Sequence, residues 1–185
     1  MMFGLAVQLL LSLPAQVPLC SIPTTVVVDF DAPPHYDRMV LDAIRYLNSE
    51  GGGREVLTYG GRRKLDYPFL GAIDYIGVRE LTSRQRGNGF WRPYWFAWAG
   101  PTYLYHQDVN RQDPVCLLGR QIWIDEQKHL RRHVWHRVML HEIGHGVGLE
   151  HTSDPKCLMY SYPVDLGTPS SLGDAAKKQF QEWYR

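Results

Sequence analysis

The segment from His141 to His151, which reads HEIGHGVGLEH, constrains the fold of this chain more than any other part of its sequence. On a helix, His141 and His145 lie one turn apart on the same face, where two imidazoles can bind one metal ion. Gly148 supplies a position at which the backbone can adopt a positive φ angle and end the helix. The chain can then turn back and bring His151 toward the same metal. The sequence therefore predicts a helix, a glycine turn and a three-histidine metal site in one short segment.

This arrangement predicts the chemistry of a single catalytic zinc ion. Three neutral nitrogen ligands leave a fourth position open for water, as catalytic rather than structural zinc sites do. Zinc lowers the pKa of such a water from about 15.7 toward about 7 and polarises a substrate carbonyl. Glu142 follows the first ligand directly, so it is the candidate general base that takes a proton from water and passes it to a leaving amine. The alternative to a metal site is that His141 and His145 are exposed helix histidines and that Gly148 only ends the helix.

The segment resembles the HExxHxxGxxH signature of the metzincin zinc metallopeptidases. Residues 157–160, which read CLMY, resemble the methionine turn beneath the metal in these enzymes, and the resemblance assigns that role to Met159. With the HTSDP run at 151–155, these residues are closest to the matrixin branch. The resemblance implies an α+β fold with a twisted, mostly parallel sheet of about five strands, two long helices, a methionine turn and a C-terminal helix. It also implies an active-site cleft below an edge strand.

Two segments supply candidates for substrate binding. Residues 96–99, which read FAWA, resemble the matrixin edge strand, with a tryptophan where that branch often has a histidine for a structural zinc. A second zinc ion is therefore not expected. The alternative to a substrate-binding role for the aromatic segment from Phe90 to Tyr105 is a hairpin whose rings only cover the core. Matrixins usually place a proline directly after the Met-Tyr pair; here it comes two residues later, so we expect a reshaped specificity pocket. The candidates are Phe96, Ala97, Trp98, Tyr160 and Tyr162.

The remaining elements follow from hydrophobic patterning and from turn residues. Strands are predicted at Thr24–Phe30, Val56–Tyr59, Tyr75–Leu81 and Ile122–Ile124. Apolar residues spaced three and four apart predict a helix from Tyr36 to Leu47 that Gly51–Gly53 end. A long helix is expected from about Gln127 to Gly146, and a final helix carries Leu172, Ala176, Phe180, Trp183 and Tyr184 on one face, with Ser170 or Ser171 as its N-cap.

The N-terminus carries an apolar run from Phe3 to Leu13, which has the length of a signal-peptide core and is too short for a membrane span. We therefore expect residues 1–15 to be a signal peptide, 16–23 a short leader and 24–185 the catalytic domain of a secreted protein. The alternative is an uncleaved segment that packs on the domain.

Three cysteines, Cys20, Cys116 and Cys157, permit at most one intrachain disulfide. The predicted pair is Cys116 with Cys157. Cys20 is expected to be a free or intermolecularly paired thiol. Two alternatives stay open: a latency switch like the propeptide cysteine of matrixins, whose motif residues 18–23 match only poorly, and lipid attachment.

The charge of the chain excludes a strong field for nucleic acid, since the formal net charge is +1 and the charged residues are spread along the sequence. The partner is expected to be a polypeptide substrate, and the chain is expected to be a monomer without a stable membrane span. The sequence does not indicate whether calcium binds.

The leading function is zinc-dependent hydrolysis of internal peptide bonds in extended polypeptides. Two alternatives stay open: a zinc-binding assembly module with little turnover, and a hydrolase of cell-wall peptides.

Overall fold

The computed structural model describes residues 18–65, 74–83, 86, 96–105, 116–128, 130–160 and 171–184. These residues form a five-stranded sheet and three helices. The strands are β1 (Thr24–Asp29), β2 (Leu57–Arg63), β3 (Tyr75–Glu80), β4 (Ala97–Tyr105) and β5 (Cys116–Ile124). The helices are α1 (Tyr36–Glu50), α2 (Arg132–Gly146) and α3 (Asp174–Tyr184).

The sheet has the strand order β2-β1-β3-β5-β4. The pairs β1/β2, β1/β3 and β3/β5 are parallel, whereas β4 runs antiparallel to β5. The antiparallel strand therefore lies at one edge of an otherwise parallel sheet. This confirms the α+β fold and the mostly parallel five-stranded sheet that the sequence implied.

Successive side chains along each strand point to opposite faces of the sheet. Val26, Val28, Ile76, Ile122 and Ile124 belong to the main core cluster, together with the apolar faces of all three helices. The opposite face carries a smaller cluster of Leu81, Trp123 and the packed ring of Trp98. Helices α1 and α2 thus cover one face of the sheet, and α2 contacts both β4 and β5.

The first helix forms where the sequence predicts it, because its apolar residues repeat at helical spacing and glycines follow. Met39, Val40, Ala43 and Leu47 are buried, and Gly52 and Gly53 adopt positive φ angles of 75° and 88° just beyond the helix end. Such angles are easily reached only by glycine.

The second helix begins later than predicted. It starts at Arg132 rather than near Gln127, because the preceding residues are held by the sheet and by a turn. The Asp125 N–H donates to the carbonyl of Phe96 at 2.8 Å, and the Lys128 N–H donates to the Asp125 carbonyl at 3.1 Å. Arg131 is extended, with ψ at 147°.

The predicted N-cap of the last helix is also wrong. Helix α3 begins at Asp174 after Gly173, which has a φ angle of 81°. The Ser171 hydroxyl accepts a hydrogen bond from the Gly173 N–H at 3.1 Å, so it stabilises the turn before the helix. Ser170 lies outside the described residues.

The cysteine pairing differs from the prediction. Cys20 forms a disulfide with Cys116 at the start of β5, across a sequence separation of 96 residues. Cys157 is a buried free thiol that donates to the Asp154 carboxylate at 3.1 Å. The segment after residue 17 is therefore fastened to the domain, as the buried side chain of Leu19 also shows.

Among the described residues, none of the helices combines the length and the apolar composition that crossing a bilayer requires. The apolar run from Phe3 to Leu13 lies outside the described residues.

Candidate metal centre and active site

The last turn of α2 and the turn after it bring three imidazoles together. The Nε2 atoms of His141 and His145 each lie 3.1 Å from the Nε2 atom of His151. Gly148 has a φ angle of 91°, and its N–H donates to the His145 carbonyl at 3.0 Å. The helix thus ends where the sequence predicted, and the chain returns toward the helix face. Among the described residues, His141, His145 and His151 are the group whose side chains converge as metal ligands do.

Backbone carbonyls fix the orientation of two of the rings. The Nδ1 atom of His141 lies 2.9 Å from the Leu158 carbonyl, and the Nδ1 atom of His145 lies 2.7 Å from the Leu149 carbonyl. A carbonyl oxygen only accepts, so each Nδ1 carries the proton and each Nε2 keeps its lone pair. This outer support is typical of metal-binding histidines. Three nitrogen donors that face one point fit the ligand preference of zinc.

Electrostatics keeps the rings in the form that binds a metal. The pKa of His141 is lowered to about 4, chiefly by burial and to a smaller extent by His151 and Arg137, against the opposing effect of the hydrogen bond to the Leu158 carbonyl. Burial also lowers the pKa of His145 well below its ordinary value, with a second contribution from His141. Partial desolvation of its ring lowers the pKa of His151, although this histidine is the most exposed of the three. The imidazoles are therefore neutral at pH 7.

Glu142 is buried between the helix and the edge of the sheet. Burial raises the pKa of its carboxyl to about 8, against the opposing effects of the Ala99 N–H, which donates to the carboxylate, and of the Arg120 charge. A divalent cation beside this carboxyl would lower the pKa again. The Ala99 contact places the candidate base next to β4, the edge strand of the described sheet.

Met159 lies in the core beside the site, with its side chain fully buried. A Cβ atom added to Gly144 would lie 2.7 Å from the Met159 sulfur, so this sulfur packs directly against the helix between His141 and His145. The absence of a side chain at Gly144 permits that approach. Residues 157–160 turn back here, and the Thr152 N–H donates to the Met159 carbonyl at 2.9 Å.

Two side chains near the site were not predicted from the sequence. Arg120 on β5 is buried, and its guanidinium donates to the His145 carbonyl. The Tyr184 hydroxyl donates to the Val147 carbonyl at 2.9 Å and accepts the Leu19 N–H at 3.0 Å. A lone arginine within the apolar run of β5 was the signal available for Arg120. The position of Tyr184 depends on how the last helix packs, so sequence patterning carries no signal for its contact.

The predicted substrate residues fall in different places. Ala97 and Ala99 on β4 pack toward the helix-covered core, and Phe96 precedes the strand and contacts the same core. Trp98 lies on the opposite face of the strand, where its ring stacks on Trp123 with 5.1 Å between centroids. Tyr160 follows the methionine turn and forms an isolated bridge with Thr152. Tyr162 lies outside the described residues. Substrate binding by these five residues stays a prediction.

Comparison with known proteins agrees with this geometry. Residues 110–184, which include the three histidines and the methionine turn, match the matrixin peptidase family. The fold is similar to that of archaemetzincin from Methanopyrus kandleri, with a TM-score of 0.54 and 17% sequence identity. The match covers 94% of this chain and 98% of the archaemetzincin chain. No curated protein matches the sequence significantly.

Proposed function

We propose that this chain is a zinc metallopeptidase of the metzincin type and an endopeptidase that hydrolyses internal peptide bonds of extended polypeptides. The matrixin match over residues 110–184 and the archaemetzincin-like fold support this proposal. One observation carries the proposal: three Nε2 atoms converge at the end of a helix on which the adjacent Glu142 lies beside an edge strand. His141, His145 and His151 are the proposed ligands. Zinc, when bound there, supplies a Lewis acid and lowers the pKa of water toward about 7.

The proposed role of Glu142 is proton transfer. The Ala99 N–H holds its carboxylate at the edge of the sheet, where it accepts a proton from the attacking water and delivers it to the departing amine. A carboxylate without a ligand role is what this step requires. A purely structural metal site has no use for such a base, and this argues against the assembly-module alternative.

The edge strand supports an extended substrate. The pairing partner of β4 within the described sheet is β5. An extended polypeptide can add along the other side of an edge strand through main-chain hydrogen bonds, which favour no particular sequence. This favours cleavage within long, unfolded chains over hydrolysis of short cell-wall peptides.

The test is to compare Glu142→Gln with the wild type on an unstructured polypeptide and on a short cell-wall peptide. Glutamine keeps the shape and can still accept the Ala99 hydrogen bond, but it cannot act as a base. We expect zinc to stay bound while peptide hydrolysis falls by roughly 10² to 10⁴. The exposed Glu55 provides the matched control, because Glu55→Gln makes the same chemical change away from the site.

His141→Ala should lose both zinc and hydrolysis, because a ligand is removed. Equal rates for the wild type and Glu142→Gln would show that another group is the base. If the wild type holds zinc but cleaves neither substrate, the assembly-module alternative is favoured. Exclusive cleavage of the short cell-wall peptide would support the hydrolase alternative.

We also propose that the protein is secreted. The Cys20–Cys116 disulfide supports an oxidising compartment, and cleavage after Ala15 would retain both cysteines. Mass spectrometry of the product from a secreting host should find a mature chain that begins close to Gln16. An intact Met1 on an exported, active protein would contradict the signal-peptide assignment.

A further inference from the structure

Arg120 is a charged residue in the interior of the sheet. It is 6% exposed and lies on β5, on the helix-covered face that also carries Ile122 and Ile124. Removing a guanidinium from water costs several kcal/mol unless the group is paired and hydrogen-bonded. The partners of Arg120 therefore indicate what the residue does.

One partner is the end of the metal-binding helix. The Arg120 Nη1 donates to the His145 carbonyl, which also accepts the Gly148 N–H. A cation is favourable at this position because the free carbonyls at the C-terminus of a helix carry partial negative charge. Arg120 thus contacts the residue at which α2 gives way to the turn toward His151.

A second contact reinforces the same attachment. Arg120 pairs with Ile76 on β3, and a Cβ atom added to Gly146 would lie 3.0 Å from the Ile76 Cδ1. Two paired residues of the sheet therefore hold two consecutive residues of the helix, His145 and Gly146. The contact from β5 is the hydrogen bond of Arg120, and the contact from β3 is the close packing of Ile76.

The charge of Arg120 also acts on the candidate base. Arg120 and Glu142 interact electrostatically in the buried space between β5 and α2. Because Glu142 and His145 lie three residues apart on the last turns of one helix, a single guanidinium influences both.

We propose that Arg120 is a positioning residue that holds the last turn of α2 against the sheet, and so aligns His145 as a metal ligand and Glu142 as the base. The inference rests on the proposed function. It assigns a role to a residue outside the histidine segment, 25 residues before His145 in the chain. The contact that carries this role is the hydrogen bond to the main-chain carbonyl of His145, so Arg120 acts through the helix.

The test uses Arg120→Met, which fills similar volume without charge or donor. Loss of an outer-shell partner typically weakens metal affinity or activity 10- to 100-fold. We expect zinc affinity to fall about 10-fold or more and, at saturating zinc, kcat to fall 10- to 100-fold with KM changed less than about threefold. The absorption spectrum of the Co²⁺-loaded variant should also change, because it reports the arrangement of the ligands. Arg120→Lys keeps the charge and a donor and should recover part of the affinity.

Arg79 gives the matched control. It is a second buried arginine of the same sheet, on β3, and its guanidinium binds the Asp29 carboxylate at 2.6 Å and the Leu65 carbonyl at 2.7 Å. Arg79→Met should lower stability while it leaves zinc affinity and the Co²⁺ spectrum as in the wild type. If both variants lose zinc affinity equally, the effect is a general loss of stability and the proposal is wrong.

If the Arg120→Met variant folds and has the zinc affinity and kcat of the wild type, the inference about Arg120 is wrong and the proposed function is unaffected. If the wild-type protein itself neither binds zinc nor cleaves peptides, the proposed function is wrong. If Arg120→Met does not fold, Arg120→Gln decides, because glutamine is uncharged and too short to replace the guanidinium. Unchanged affinity and spectrum in that variant would refute the role, and losses like those given above would support it.

Discussion

Glu142 should make the stability of the metal-free protein depend on pH in an unusual direction. Burial raises the pKa of its carboxyl from 4.5 to about 8, so between these values the folded state holds a proton that the unfolded state has lost. Its contribution to stability is full below pH 4.5 and is lost as the pH rises through 8. Each pH unit with a one-proton difference is worth about 1.4 kcal/mol.

His141 acts in the opposite direction. Its pKa falls from 6.5 to about 4, so its stabilising contribution is full above pH 6.5 and is lost as the pH falls toward 4. The two effects oppose each other between pH 4.5 and 6.5. Because burial lowers the pKa values of His145 and His151 as well, the wild type should gain stability as the pH rises from 4.5 to 6.5 and should then lose about 2 kcal/mol between pH 6.5 and 8. In Glu142→Gln that loss should disappear, and acidification from pH 6.5 to 4 should cost about 3 kcal/mol from His141, with His145 adding in the same direction.

Denaturant unfolding of chelator-treated protein, followed by tryptophan fluorescence at a series of pH values, measures how the unfolding free energy changes with pH below and above pH 6.5. The informative quantity is the difference in unfolding free energy between wild type and Glu142→Gln, because shared titrations cancel. If this difference does not change between pH 6.5 and 8, Glu142 is not the buried carboxyl described here, and its contact with the Ala99 amide is also in doubt.

Three further variants test the supports of the site. Gly148→Ala should lower stability by about 1 kcal/mol, because the φ angle of 91° is unfavourable for alanine, and should weaken zinc binding in a calorimetric titration. Tyr184→Phe should cost about 1 to 3 kcal/mol in denaturant unfolding, since a buried N–H and a buried carbonyl each lose a partner; an unchanged midpoint would contradict those contacts. Replacing Cys20 and Cys116 together by serine should cost about 2 to 5 kcal/mol, and equal stability of the oxidised and serine proteins would show that the disulfide does not form.

The parts of the site that the sequence predicted are those that short-range geometry determines. His141 and His145 lie four residues apart on one helix, and Gly148 takes the positive φ angle that the turn requires. These constraints operate within a few residues, so the spacing of side chains already contains them. The same reasoning explains the accurate bounds of α1, whose buried face repeats at helical spacing.

The errors have a common physical origin in contacts between distant parts of the chain. The period of apolar residues extends toward Gln127, but the hydrogen bond from Asp125 to Phe96 keeps the chain with the sheet before α2 begins. The strand expected at Ile122–Ile124 is longer, Cys116–Ile124, because it pairs with both β3 and β4. The local hydrophobic pattern does not identify Phe96 as the partner of Asp125 or β3 and β4 as the partners of β5.

The disulfide illustrates the same limit most directly. The sequence analysis predicts the pair Cys116–Cys157 and places Cys20 in a short leader before the catalytic domain. Leu19 is instead buried, and its N–H donates to the Tyr184 hydroxyl, so the N-terminal segment packs against the last helix. That packing brings Cys20 to the start of β5, whereas the Cys157 thiol faces Asp154.

Arg120 combines a contact that local spacing cannot predict with a feature that is visible in the sequence near it. Its partner is 25 residues away, so no spacing rule identifies the His145 carbonyl. Yet a charged side chain in a strand that otherwise reads as buried is costly unless the fold provides a partner. Arg120 lies on the face of β5 that the helices cover, where the side chain is buried and this cost applies. Arg120 lies outside the strand expected at Ile122–Ile124, so its apolar neighbours in the sequence were the only local signal, and the topology reveals that this cation meets the end of the helix that carries His141 and His145.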